Sequence, residues 1–142
     1  MMDLERAAAF CRSYGEAMAT GGAGRLVDHY GFPYVSFTLG HVSRMEDRAD
    51  ADAAVQAHLD RFERSGLGVD IRMAEHRVEP VSGGSALCHI RWEIHPQNGA
   101  PGWSWDNVYG LRQTPDAQYF EFNVSDNEFG ELLGRYPDFM SV

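Results

Sequence analysis

The sequence predicts an α+β protein, an antiparallel sheet with helices packed on its apolar face. Three observations lead there. Between Ser85 and Ser125 three strand-like segments follow one another: Leu87–His95, Trp103–Arg112 and Gln118–Val124. They carry all three Trp residues, with Tyr109, Tyr119, Phe120 and Phe122, the residue types that favour a pleated, half-buried surface. Apolar residues at helical spacing occur mainly in the first half of the chain. The order is therefore helix, helix, strand, short strand, helix, then four long strands, a segregation that places helices on one side of an antiparallel sheet.

The elements read in order as follows. Asp3 is an N-cap, and Leu4, Ala7, Ala8, Cys11, Tyr14 and Met18 recur on one helical face until Gly21-Gly22. A short second helix covers Arg25–Tyr30 and stops at Gly31, and Pro33 bars its continuation. Tyr34–Leu39 reads as a strand, Gly40 turns it, and His41-Val42-Ser43 pairs back as a short arm. The third helix starts at Asp50 and Asp52 and ends at Arg61 and Arg64, as the helix dipole favours. Its buried stripe is Val55, Leu59 and Phe62, and Gly66 stops it.

Val69–Val81 is a long strand whose alternation breaks in the middle, so the sequence predicts a one-residue bulge near Ala74. Ser82-Gly83-Gly84 is a hairpin turn, 95–102 a loop rich in Pro and Gly, and Thr114-Pro115-Asp116 the last turn. Asp126 caps a short helix through Leu133, and the remainder reads as a tail. No linker or repeat divides the chain, so residues 1–142 form a single domain.

Composition narrows the function. With 142 residues and 44 % hydrophobic residues the chain is long enough and apolar enough for a real core. A net charge of −9 with scattered Lys and Arg disfavours nucleic acid and anionic membranes as partners. Asp3, Glu5 and Arg6 interrupt any secretory apolar run, and no apolar run approaches the ~20 residues of a membrane span. A soluble, cytoplasmic protein is expected. Cys11 and Cys88 have no metal or redox spacing and read as two reduced, buried thiols. There is no GxSxG elbow, phosphate loop or HExxH, and no cofactor or metal is expected.

The element order resembles that of the nuclear transport factor 2-like superfamily, which includes ketosteroid isomerases, scytalone dehydratase and polyketide cyclase-like proteins. The matching stretches are Tyr30-Gly31-Phe32-Pro33-Tyr34, the helix from Asp50 to Ser65, Tyr109-Gly110-Leu111-Arg112, and Phe120 to Asp126. The resemblance spans residues 3–126. It implies a strongly curved sheet wrapped around helices into a cone-shaped barrel, an apolar pocket at the open end, and dimers built on the sheet's outer face. The isomerase pattern also implies a phenol on the first helix, which Tyr14 supplies, and a hydrogen-bond donor near Asn107. Its carboxylate base would lie on the first strand, but Val35–Gly40 contains no Asp or Glu. Neither does the sequence hold a convincing counterpart of the Asp–Arg–Asp set of the superfamily's epoxide hydrolases.

Alternation along the strands sorts the side chains between faces. Trp103, Trp105, Asn107, Tyr109 and Leu111 form one apolar set, with Cys88, Ile90, Trp92 and Ile94 beside them. Phe120, Phe122 and Val124 are the apolar set of the last strand. The opposite set includes His89, Arg91, Glu93, His95, Asp106, Val108 and Arg112. Asn107 stands alone as a polar residue on an aromatic face, where a buried amide needs partners: backbone, water or a ligand. His89 and His95 are about 20 Å apart along their strand, so they cannot share a metal with Glu93. His29 and Asp28, adjacent on a helix, point about 100° apart and make a poor dyad.

The expected site is therefore an apolar, aromatic-lined pocket for a small apolar molecule. Tyr34, Phe37, Trp92, Trp105, Tyr109 and Phe122 would bind it. Tyr14 and Asn107, with His41 near the cone's mouth and His58 on the third helix, are the candidate catalytic donors and base of a cofactor-free lyase, isomerase or cyclase. Tyr14 also fits a purely structural role as a core phenol. The alternative is a non-catalytic interaction or dimerisation domain whose cavity is filled by its own aromatics. The outer set mixes both charge signs around Val108 and Gly110, which suits a homodimer through the sheet's outer face.

Overall fold

The computed structural model describes all 142 residues, the side chain of Asp126 excepted. The chain runs α1 (Leu4–Thr20), α2 (Ala23–Val27), β1 (Tyr30–Thr38), β2 (His41–Met45), α3 (Arg48–Arg64), β3 (Ile71–Ser82), β4 (Ser85–Ile94), β5 (Trp103–Gln113), β6 (Gln118–Val124), α4 (Asp126–Arg135) and a 3₁₀ turn, Phe139–Ser141. The strands form one six-stranded sheet in the order β2-β1-β6-β5-β4-β3. The predicted meander β3–β6 is antiparallel throughout, and β1 joins it parallel to β6, so the sheet is mixed. It curls over α1 without closing and leaves β2 and β3 as edges. Among the described residues no helix is long and apolar enough to cross a membrane.

Local chemistry explains the boundaries. Asp3 caps α1, its carboxylate accepting from the Arg6 N–H, as expected. Asp47 caps α3 in the same way through the Asp50 N–H at 2.9 Å, so that helix begins at Arg48, two residues before the predicted start. Helix α2 ends at Val27, and the residues assigned to its last turn become His29 and the start of β1. His29 is held by the Arg25 carbonyl at Nδ1 and by Ser13 at Nε2, each at 2.9 Å, and does not form a dyad with Asp28. Burial lowers its pKa. The segment read as a tail extends α4 to Arg135 and returns Phe139 to the core, 5.0 Å from the Phe62 ring.

Two bulges decide which side chains face inward. Met73 pairs with Trp92 and Glu75 with Arg91, so Ala74 is the extra residue, at the predicted place. Beyond it the inward set shifts from Ile71 and Met73 to His76 and Val78. A second bulge was not foreseen. Leu111 pairs with Phe120 and Gly110 with Phe122, leaving Glu121 unpaired in β6. Phe120 is fully buried, whereas Phe122 swings to the outer face and lies over Gly110, where a Cβ would meet the ring at 2.1 Å. Asn123 takes the inward position opposite Tyr109.

The core lies between α1, α3 and the inner sheet face. Cys11 and Cys88, both fully buried, face each other across it at 3.0 Å between sulfurs. On α3 the inward stripe is Ala51, Leu59 and Phe62, with Val55 only half-buried. Phe62 meets the rings of His58 at 5.1 Å and Phe139 at 5.0 Å. Phe62→Ala is expected to destabilise the fold by about 3–5 kcal/mol, as a buried aromatic truncation does. Urea denaturation checks this, and a loss under ~1 kcal/mol would contradict the packing described.

Candidate functional site

The inner sheet face does not close completely on the helices. Between them lies a cavity of about 530 Å³. Trp92, Trp105 and Tyr109 line it from the sheet, Tyr14 from α1, Leu59 from α3 and Phe129 from α4. Each wall follows from local pattern: period two brings the β4 and β5 aromatics to one face, and period 3.6 brings Ala54, His58 and Arg61 of α3 to one stripe.

A connected polar chain crosses this apolar space. Glu128, in the first turn of α4, is 8 % exposed. One of its oxygens accepts from Asn107 Nδ2 at 3.2 Å, and the other lies 2.9 Å from His58 Nε2. Asn107 Nδ2 also donates to the Tyr109 hydroxyl at 3.1 Å, and Trp92 Nε1 donates to the same oxygen at 3.0 Å. The neighbours set the amide's orientation, because turned over it would press Oδ1 against the carboxylate.

Several donors and acceptors of this chain remain without a protein partner among the described residues. Both oxygens of Glu128 are engaged, so its carboxylate takes the proton of His58 Nε2 as a hydrogen bond and leaves Nδ1 as the basic nitrogen. The Tyr109 oxygen already accepts twice, so its own O–H is a donor with no protein acceptor among the described residues. Asn107 Oδ1 and Trp105 Nε1 are buried without partners among the described residues.

A tyrosine cluster completes the wall. Tyr14 and Tyr30 share a 2.6 Å hydrogen bond, Tyr30 stacks on Tyr34 at 4.1 Å, and Tyr34 donates to Asn123 Oδ1 at 2.7 Å. Burial, as the largest cause, raises the pKa of Tyr14, Tyr34 and Tyr109 and brings Tyr30 to about 12. These phenols therefore act as neutral donors near pH 7.

Of the residues singled out from sequence, Tyr14, Tyr34, His58, Trp92, Trp105, Asn107 and Tyr109 come together around the cavity. His41, Phe37 and Phe122 do not. His41 sits exposed at the β1–β2 turn opposite Thr38, which lines the cavity, but is not itself among the lining residues. Tyr34 faces inward, so Phe37, three residues on, faces outward by alternation, and the Glu121 bulge sends Phe122 to join it 6.3 Å away. Sequence reasoning missed Glu128, Tyr30, Asn123 and Arg61. For Glu128 a signal existed: it follows a predicted cap by two residues on a short helix that leaves β6 beside the cavity.

Two outcomes test this geometry. Asn107→Leu strips one oxygen of a buried carboxylate and is expected to cost about 1–3 kcal/mol in urea denaturation; an unchanged midpoint would show the network to be absent. The phenol pKa values lie above the unfolded value of about 10. Their stabilising contribution is thus complete below pH 10 and is lost as pH rises through the folded values, for Tyr30 toward about 12. Alkaline titration followed by tyrosinate absorbance should leave these four phenols silent until the protein unfolds.

Neither a protein-family model nor a curated protein matches the sequence. Solved structures match the fold. An NTF-2 like protein of unknown function from Shewanella oneidensis MR-1 aligns with a TM-score of 0.68 at 12 % identity, over 87 % of this chain and 98 % of that one. A ketosteroid isomerase-like protein from Erwinia carotovora atroseptica aligns at 0.61 and 14 % identity, over 83 % and 90 %. The beta subunit of the benzoate 1,2-dioxygenase from Burkholderia mallei aligns at 0.62 and 16 % identity, over 91 % and 94 %. The chain shares with them the nuclear transport factor 2-like cone fold, the architecture that the sequence resembles.

Proposed function

We propose that the protein binds a small, largely apolar carbonyl compound in the cavity and moves a proton on it, as a lyase, isomerase or cyclase working through side chains alone. The observation that supports this reading is the His58–Glu128–Asn107–Tyr109 chain inside an aromatic cavity. His58 Nδ1 is the base that takes the proton from carbon. Glu128 is its positioning residue, fixing the tautomer and stabilising the imidazolium that forms. The Tyr109 O–H donates to the oxygen on which negative charge develops, and the Tyr14–Tyr30 pair offers a second donor. This arrangement supplies a base from α3 where the first strand, Val35 to Gly40, holds no carboxylate.

Deuterium uptake in D₂O tests the proposal, with 2-tetralone and related enolisable cyclic ketones followed by proton NMR. Protein-dependent exchange at the carbon next to the carbonyl is expected. His58→Ala should slow it by about 10²-fold or more, and Glu128→Gln should slow it as well. Exchange absent for every ketone, or indifferent to His58→Ala, would overturn the reading.

We also propose that two copies associate through the outer sheet face. The outer charges are already paired within the chain, Arg91 with Asp106, Arg112 with Glu121 and His89 with Glu79. What supports association is the apolar strip beside them, where Phe37 is 40 % exposed, Phe32 37 % and Val42 66 %. Sedimentation equilibrium should give twice the 15.9 kDa chain mass, and Phe37→Arg should return it to the monomer. A wild-type protein sedimenting as a monomer would contradict the proposal.

A further inference from the structure

We infer that the cavity's ligand is a carboxylic acid, an apolar ring system whose carboxylate is seated on Arg61. This rests on the cavity being a ligand site, as proposed above, and names the chemical class that site would take.

Arg61 carries the charge that would meet such a ligand. It lies three residues after His58 on α3, on the same face, and lines the cavity. Among the described residues it has no ion-pair or hydrogen-bond partner through its side chain, and its Nε is buried. The other arginine in the lining, Arg44, is paired with Glu46. The two carboxylates in the lining are committed elsewhere: Asp50 accepts from the Glu46 N–H at 3.0 Å, and Glu128 serves His58 and Asn107. A guanidinium N–H buried without an acceptor is costly, and such a group keeps its place where something else supplies the acceptor. In a chain of net charge −9, an arginine in the lining of an apolar cavity with no partner among the described residues is a specific feature.

The rest of the lining agrees in sign. Among the described residues Tyr109 O–H, Trp105 Nε1–H and Arg61 lack an acceptor, while Asn107 Oδ1 and His58 Nδ1 lack a donor. A ligand matched to this set is richer in acceptors than in donors. A single guanidinium with aromatic walls fits a planar carboxylate, which accepts two parallel N–H bonds from one fork. A phosphate would require further cations or a cluster of backbone N–H groups. Because Arg61 follows His58 by one helical turn, a carboxylate on Arg61 holds the adjoining carbons near the base, and this links binding to the proton transfer proposed for His58.

Calorimetric titration of the full chain with naphthalene-2-carboxylate and with the isosteric naphthalene-2-carboxamide tests the inference. The carboxylate is expected to bind about 10-fold more tightly or better. Arg61→Gln should abolish that preference while leaving carboxamide binding unchanged, and Arg61→Lys should keep part of it. The Arg61→Gln protein should keep its unfolding midpoint, because Arg61 gives up no internal partner. Equal binding of the two probes, or a preference that survives Arg61→Gln, overturns the inference and leaves the ligand-binding reading standing. Failure of both probes to bind overturns the two together.

Discussion

Glu128 brings a carboxylate into a space walled by tryptophan and tyrosine rings, and the character of the cavity follows from how that charge is kept there. An ionised carboxylate is tolerated out of water only when its oxygens are matched. Asn107 fills one and His58 the other. Asn107 is then obliged to sit on the inner face of β5, His58 on the cavity-lining stripe of α3 beside Ala54 and Arg61, and α4 must return across the end of the sheet to deliver Glu128. Each of these placements uses a different element. The polar chain thus ties β5, α3 and α4 together around an opening that apolar packing alone would tend to fill.

The opening also depends on where the strands break register. Without the bulge at Ala74, the second half of β3 would send Glu75, Arg77 and Glu79 inward. Without the bulge at Glu121, Phe122 would point into the cavity and Asn123 out of it. The second bulge exchanges an aromatic filler for an amide that anchors Tyr34. Space and polarity in the cavity are both consequences of one unpaired residue, which is the local economy by which bulges re-aim side chains near functional sites.

Much of this was legible in the sequence. Periodicity and turn chemistry located the helices, the meander and the Ala74 bulge, because a break in alternation is visible one strand at a time. The inward set of β4 and β5 was legible for the same reason, and Asn107 stood out as the one polar side chain in an aromatic row. The Glu121 bulge was not legible: Tyr119-Phe120-Glu121-Phe122 alternates well, and only pairing with β5 shows that Glu121 is extra. Phe122 was misplaced on that account, whereas Phe37 was misplaced against the alternation of its own strand, three residues after the inward Tyr34. Nor was the His58–Glu128 pair legible, since its members are 70 residues apart and meet only when α4 folds back. The parallel pairing of β1 with β6 is likewise a long-range property that no local pattern records.

Everything proposed for the cavity turns on Glu128 fixing the tautomer of His58 and leaving Nδ1 as the base. Long-range nitrogen–proton NMR of imidazole-labelled protein near neutral pH reads this directly. Neutral His58 is expected to carry its proton on Nε2, and Glu128→Gln is expected to disturb this preference while the protein stays folded. A neutral His58 protonated on Nδ1, or one whose tautomer balance is the same with and without the Glu128 carboxylate, would contradict it.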